Sequence, residues 1–231
     1  MKFVMPRHCA CCYPPANPAN APGEAEESRS RADGQQPMLR PRGEETDRVP
    51  SGHRAWGLGH DGRVLIVRAT KKLLDRIGPP NLGEGERSTT LMGQWYATAL
   101  FWKPQVALFV NEPTLLPVLV PLAPAATLLA RFPQQLAAVL AAYGTPDAVI
   151  DEEQRQMSDR RLAKTTNRSV IGIMNEFSFL AGAYRGGTPA PDLLALAKHL
   201  AATPCGPLYR RHVSPDRELA ALLRSVAPPA N

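Results

Sequence analysis

The chain has 231 residues, of which 44% are hydrophobic, and a formal net charge of +6. That length and apolar content suffice for one sizeable core, and the modest positive charge permits contact with nucleic acid or an anionic ligand without requiring it. No run of about 18 apolar residues is present, and the amino terminus lacks the apolar segment of a secretory signal. We therefore expect a cytoplasmic protein with no membrane contact.

Residues 1–63 are rich in Pro, Gly, Ser, Glu and Arg and show almost no apolar periodicity. Such a segment buries too little surface to offset the entropy of ordering, so we predict a disordered tail. Residues of GC-rich codons dominate it, and the first strand-like segment begins abruptly at Val64. Two interpretations stay open: an over-extended translation start, with the natural chain beginning near Val64, or a genuine flexible tail.

Three of the four cysteines, Cys9, Cys11 and Cys12, are crowded near the amino terminus, and Cys205 lies alone near the other end. A closed zinc site needs a second pair of thiols or histidines, and only His8 lies beside the first three. We therefore expect neither a metal site nor a disulfide framework. No base-orienting acid is evident near Cys205, so we predict no catalytic thiol.

Four short segments have the β-branched and apolar residues that are typical of strands. They are residues 64–67, 95–102, 105–110 and 115–120. The second and third are joined at Lys103-Pro104, which predicts an antiparallel hairpin. Pro117 in the fourth has no backbone donor, so we expect that strand at an edge of the sheet or at a bulge. A further stretch, 160–165, is predicted to be extended.

The remaining periodic segments predict helices around this sheet. They are residues 71–77, 125–131, 134–143, 146–157, 168–184, 192–202 and 216–226. Thr70, Thr145 and Asn167 are placed to cap the first, fourth and fifth of them, and Pro133 suits the first position of the third. We interpret the acidic residues 151–153 as a solvated face, because no further ligand lies at metal-binding spacing.

The helix predicted at 168–184 has two contrasting faces. At 100° per residue its apolar side chains fall together and predict the surface that faces the core. They are Val170, Ile173, Met174, Phe177, Ala181 and Tyr184. The opposite face has Arg168, Gly172, Asn175 and Phe179, with Ile171 beside them. Glycine costs about 1 kcal/mol within a helix, so we expect Gly172 to let another backbone, a ligand or a partner approach closely.

The segment that enters this helix carries the densest polar chemistry of the chain. Asn167 is a good helix cap, and the free N–H groups of the first turn point toward whatever lies beside it. Lys164 and Arg168 flank these donors. Hydroxyl groups are added by Thr165, Thr166 and Ser169. This strand end and helix start predict a site for phosphate or carboxylate, although the glycines and residue order of a Walker loop are missing.

Each of these features also has a plainer structural interpretation. Asn167 then serves only as a cap, Arg168 pairs with an acid of its own fold, and Asn175 ties down a loop. Lys71 and Lys72 add positive charge to the same region, or they are a solvated pair. Two further groups of residues each have two interpretations. A set of aromatic residues either stacks on bases or fills the core, and a set of basic residues either contacts nucleic acid or is solvated. Their members are Trp95, Tyr96 and Trp102, and Arg210, Arg211 and His212.

Three parts of the chain carry a resemblance to a known family. They are Arg68–Leu73, then Trp95–Ala97 with Val110-Asn111, and the long motif Lys164–Asn175. On these motifs, over about residues 64–184, the chain resembles an uncharacterised bacterial family, domain of unknown function 6933. The tail before Val64 lies outside the family pattern. The resemblance implies domain limits and no particular activity, substrate or cofactor.

The sequence as a whole predicts one α+β domain at 64–231, in which helices cover a small, mainly antiparallel sheet and a helical extension begins at residue 185. The first functional hypothesis is a non-enzymatic binding module for a phosphate-bearing ligand or nucleic acid, without cofactor or metal. The alternatives are an enzyme acting on a phosphorylated or nucleotide substrate, and a protein-interaction domain. The predicted ligand-binding residues are Lys164, Thr165, Asn167, Arg168, Ser169 and Asn175, with Lys71, Trp95, Asn111, Gly172 and Phe179 in support.

Overall fold

A computed structural model describes residues 62–187 and 190–226, which fold as a five-stranded sheet with helices around it. The strands are β1 (Val64–Ala69), β2 (Trp95–Leu100), β3 (Val106–Asn111), β4 (Pro117–Pro121) and β5 (Asp159–Lys164). The helices are α1 (Lys71–Ile77), α2 (Leu128–Ala142), α3 (Asp147–Arg155), α4 (Arg168–Arg185), α5 (Leu193–Ala201) and α6 (Pro215–Val226). Apart from Gly62 and Arg63, the predicted tail at 1–63 lies outside the described residues.

The five strands lie in the order β4-β3-β2-β1-β5. The pairs β2–β3 and β3–β4 are antiparallel, whereas β1 is parallel to both of its neighbours, β2 and β5. Parallel strands need a long crossover, and the chain between β1 and β2 supplies one through α1 and the segment that follows it. The α+β class, the hairpin and the edge position of Pro117 are confirmed, and the parallel pairing of β1 is an additional finding.

Helices on both faces explain why β2 and β3 are buried along their whole length. On one face Phe132 of α2 stacks on Phe109 at 4.3 Å between ring centroids and meets the edge of Trp95 at 5.0 Å. On the other face Tyr96 reaches the start of α4. The buried side of α4 is formed by Val170, Ile173, Met174, Phe177 and Ala181. The predicted core face of this helix is therefore confirmed except at Tyr184, which is exposed.

Of the three predicted caps, Asn167 is confirmed, Thr70 holds the predicted N-cap position without a side-chain bond, and Thr145 is wrong. Thr70 makes no cap bond with its side chain, because its hydroxyl lies 3.0 Å from that of Thr98 on β2. Thr145 is buried, and α3 begins only at Asp147, with Pro146 at its N-cap. Both threonines therefore face the protein rather than the helix that follows them.

The predicted division of α2 into two helices at Pro133 is also wrong, since Pro133 lies inside one continuous helix. Proline removes a single backbone donor from a helix. A stripe of buried side chains at helical spacing runs through this position and outweighs that loss. Its members are Leu128, Phe132, Leu136, Val139 and Leu140.

The acidic residues of α3 are not all solvated, as the sequence had suggested. Glu153 is only 1% exposed, and its carboxylate accepts hydrogen bonds from the backbone N–H groups of Leu91 (2.6 Å) and Met92 (3.3 Å). Burial raises the pKa of Glu153 to about 7, although these two donors act in the opposite direction. The carboxyl group is therefore a buried anchor for the segment that leads into β2.

Because Glu153 holds its proton more tightly in the folded state, its contribution to stability is complete below the unfolded pKa of 4.5 and decreases as pH rises to about 7. We expect the free energy of unfolding to fall between pH 5 and pH 8, by an amount on the order of 3 kcal/mol from this group. Glu153→Gln should flatten that slope in urea titrations, and Asp151→Asn, an exposed control on the same helix, should leave it unchanged. An equal slope in wild type and Glu153→Gln would contradict this role.

Candidate functional site

A groove opens where β1 and β5 end. Their register pairs Ala69 with Lys164, so the two strands stop level with each other. Ala69 also pairs with Ala97 of β2, which therefore continues for three further residues. The chain leaves β1 along this overhang, since the Thr70 N–H donates to the Ala97 carbonyl, and α1 follows at once. The carboxyl ends of parallel strands are a common place for ligand sites in open sheets.

The groove has a volume of about 1030 Å³ and combines an apolar wall with a few charged groups. The wall is formed by Ala69, Leu74, Ile77, Pro79 and Pro80. Lys71 is engaged in an ion pair with Asp75, at 2.8 Å. Lys164 and Thr165 lie at the opposite side, and Lys164 is exposed with no ion pair to any described residue. The groove thus presents an ammonium group that no acidic side chain within residues 62–187 and 190–226 neutralises.

Asn167 is used by its own helix. Its side-chain oxygen accepts from the backbone N–H groups of Ser169 (3.0 Å) and Val170 (3.4 Å), which confirms the predicted cap. Its amide group donates to the Glu112 carboxylate at 3.1 Å. The N–H groups of Ser169 and Val170, which we expected to bind an anion, are therefore already hydrogen-bonded. The Glu112 carboxylate also lies beside them.

The Glu112 carboxylate belongs to a polar network that joins three elements. Tyr96, on β2, donates to Glu112 Oε1 at 3.3 Å, and its oxygen accepts from the Asn167 N–H at 3.1 Å. The Thr166 hydroxyl lies 3.2 Å from the same phenolic oxygen. Glu112 is fixed in turn by its backbone N–H, which donates to the Gln94 carbonyl. This network sets where α4 begins and hence where Lys164 and Thr165 stand.

The predicted ligand residues do not form one cluster. Arg168, Ser169 and Asn175 are exposed on α4. Arg168 and Asn175 are about 10 Å apart along the helix axis, given its rise per residue, so Asn175 is remote from the groove. Gly172 has open space where a β-carbon would lie, and Phe179 is 77% exposed. That face of α4 has no close neighbour among the described residues.

Two supporting residues are part of the internal structure. Trp95 is fully buried against Phe132. Asn111 is also buried, where its amide donates to the Met92 carbonyl at 2.8 Å and its oxygen accepts from the hydroxyl of Thr114 at 2.8 Å. Trp95 packs the core, and Asn111 shapes the turn that carries Glu112.

Sequence reasoning gave no functional weight to Arg68 or Phe101. Arg68 is half-buried; its Nε donates to Gln94 at 2.7 Å and its Nη1 to the Lys164 carbonyl at 3.3 Å. Phe101 follows directly after β2 and is 55% exposed. An apolar residue at a strand end gives no sequence signal of exposure, because the position where pairing stops depends on the register with β1 and β3.

The remaining candidates are accounted for by local structure. Cys205 is buried, and burial raises the pKa of its thiol to about 12, which makes it a poor nucleophile. In the predicted basic cluster, Arg211 and His212 both contact the buried carboxylate of Glu218, with His212 Nδ1 at 2.6 Å. Arg210 is exposed.

Residues 62–187 and 190–226 contain neither a cluster of metal ligands nor a membrane-spanning helix. No group of three or more His, Cys, Asp or Glu side chains there is placed to hold a metal ion. No helix in that part of the chain is long and apolar enough to cross a membrane. The cysteines at 9, 11 and 12 lie outside the described residues.

Comparison with known families gives a match to Domain of unknown function (DUF6933) over residues 66–218. The match covers more than half of the chain, which therefore belongs to this family. It runs from β1 into α6 and so extends beyond the limit near residue 184 expected from the sequence motifs. Neither the curated proteins nor the solved structures gave a match.

The contacts of Asn167 generate a direct prediction. Asn167→Ala removes the cap of α4 and the bond to Glu112, and should lower the free energy of unfolding by about 1 to 2 kcal/mol. Asn175→Ala, at an exposed position of the same helix, is the matched control and should change it little. Urea titration of both variants measures the difference. Equal stabilities would mean that the Asn167 bonds do not hold the helix start.

Proposed function

We propose that this member of the DUF6933 family is a non-enzymatic binding module for a phosphate-bearing ligand, which occupies the groove between α1 and the end of β5. One observation carries the proposal: Lys164 presents an exposed ammonium group, without an ion pair to the described residues, at the rim of a groove with an apolar wall. A compact ammonium charge suits a phosphate group. A bacterial and cytoplasmic setting is also proposed, on the sequence alone.

The groove suits a ligand that has both an anionic and an apolar part. Lys164 would contact the phosphate, and the hydroxyl of Thr165 would add a hydrogen bond. The apolar wall, with Leu74 and Ile77, would receive the rest of the molecule. A nucleotide has this composition, because a flat base accompanies the phosphate.

The proposed site differs from the helix start that the sequence favoured. Asn167 caps α4, and the Glu112 carboxylate beside it would repel a phosphate there. Lys71 contributes less than its charge suggests, since Asp75 pairs with it. Lys164 is therefore the residue on which affinity should depend most. Arg168 begins α4 outside the groove lining and should matter less.

Titration with AMP, followed by calorimetry at low salt, tests this site. Lys164→Ala should raise the Kd for AMP about tenfold, because one charge-assisted hydrogen bond is lost. Arg168→Ala should have a smaller effect. Lys198→Ala is the matched control, as it removes an exposed lysine of α5 that does not line the groove and should leave the Kd unchanged.

Raising the salt concentration should weaken wild-type binding, since charges on the surface are screened. Equal Kd values for wild type and Lys164→Ala would reject the groove as the phosphate site. Absence of binding to AMP, to inorganic pyrophosphate and to oligonucleotides would reject the proposed function altogether.

An enzyme acting on a phosphorylated or nucleotide substrate is the second candidate. The observation that favours it is the position of the Glu112 carboxylate. It bonds to the Tyr96 hydroxyl, which also contacts Thr166, and Thr166 is the neighbour of the groove-lining residue Thr165. A carboxylate in such a position can transfer a proton. Product formation from nucleotides that is lost in Glu112→Gln, with folding intact, would favour this candidate over simple binding.

A further inference from the structure

Phe101 is an exposed aromatic side chain with two cations of α1 close to its ring. Lys72 Nζ lies 5.8 Å and the Arg76 guanidinium carbon 5.6 Å from the centre of its ring. Lys72 and Arg76 are four residues apart on α1, so they share one face of that helix. The phenylalanine ring rests against this face, and more than half of the side chain remains accessible.

This basic aromatic cluster is continuous with the groove. Arg76 belongs to both surfaces, since it lines the groove and its guanidinium group lies over the Phe101 ring. Around α1 the cations are Lys71, Lys72, Arg76 and Lys164, and the acid that lines the groove, Asp75, is paired with Lys71. The surface is therefore positive along its length and has an aromatic ring at one end.

A second aromatic–cation pair follows in the chain. The Arg185 guanidinium carbon lies 5.2 Å from the ring centre of Trp102, which is half-buried. Trp102 packs against the core, whereas Phe101 beside it does not. The exposed part of the Phe101 ring forfeits apolar burial, so a partner that covers it would regain that free energy.

From these contacts we infer that the surface binds single-stranded nucleic acid. Backbone phosphates lie against Lys164 and the cations of α1, and an unstacked base covers the free face of Phe101. Positively charged grooves with an exposed aromatic ring bind single strands in this way, because every base has a flat face that can stack. The inference rests on the proposed function for the phosphate contact at Lys164 and adds the base contact at Phe101.

Two other anionic partners fit the surface less well. The bases of a duplex are stacked on each other, so a duplex would reach the cations and leave the Phe101 ring uncovered. An acidic peptide would likewise neutralise the cations, and its carboxylates would find no donor on the ring. The flat apolar face is what favours a single strand.

Fluorescence anisotropy with labelled oligo-dT and oligo-U of about 12 nucleotides tests this inference. Phe101→Ala should weaken binding about tenfold, which is the usual loss for one base–aromatic stack. Phe179→Ala is the matched control: it removes another exposed phenylalanine, from α4, and should leave affinity unchanged. Thermal melting of both variants verifies that the fold is retained. The ratio of the wild-type affinities for oligo-dT and oligo-U shows whether DNA or RNA is the preferred strand.

Several outcomes would overturn the inference. They are equal affinity of Phe101→Ala and wild type, equal binding of a duplex of the same length, and full displacement of the oligonucleotide by polyglutamate at matched charge. If AMP binding depends on Lys164 while oligonucleotide binding ignores Phe101, the proposed function stands and this inference fails. If neither AMP nor any oligonucleotide binds, both fail.

Discussion

The domain depends on β2 being paired along both edges in opposite senses. It runs antiparallel to β3 and parallel to β1. It therefore joins the antiparallel part of the sheet, β2 to β4, to the parallel part formed with β1 and β5. Because it is covered by helices on both faces, all six of its residues are buried. A change of register on either side would move Trp95 and Tyr96 to the wrong faces and break the core and the start of α4 together.

The same pairing creates the candidate site. Since β1 and β5 end level with each other and β2 continues, the sheet has a step at this end. The chain after β1 fills one side of that step with α1, and the residues after β5 border the other side. The groove is thus a consequence of the offset in register between β2 and β1, since β1, β2 and β5 are each six residues long. Phe101 is exposed because β2 ends there, beyond its neighbours on the β1 side.

The polar residues near this step fall into two groups. Asn167, Glu112, Tyr96 and Thr166 bond to one another, and Arg68 bonds to Gln94 and to the backbone of β5. These residues position the elements. Lys164 has no ion pair with any described residue, and neither do Lys72 and Arg76 beside Phe101. Lys71, in contrast, is paired with Asp75. This second group carries the proposed binding, since a phosphate can pair with its charges and a base can stack on its ring.

Local signals in the sequence predicted much of the fold. The limits of α4, its Asn167 cap and its buried face follow from periodicity and cap chemistry, which depend on neighbours in the chain. The parallel pairing of β1 with β5 depends on residues nearly a hundred positions apart, and no local pattern encodes it. Burial of Glu153 depends in the same way on two backbone donors of a distant segment. The predicted site is altered for the same reason. Its residue Asn167 is engaged by Glu112, which comes from the β3–β4 turn, far away in the chain.

Nuclear magnetic resonance mapping of AMP binding on the full chain tests the central claim most directly, because each backbone amide reports its own surroundings. The account predicts that the largest shifts occur at the groove, at Ala69, Lys71, Gly78, Lys164 and Thr165. Shifts centred instead on Asn175 and Phe179, on the exposed face of α4, would contradict it, as would a spectrum that AMP leaves unchanged.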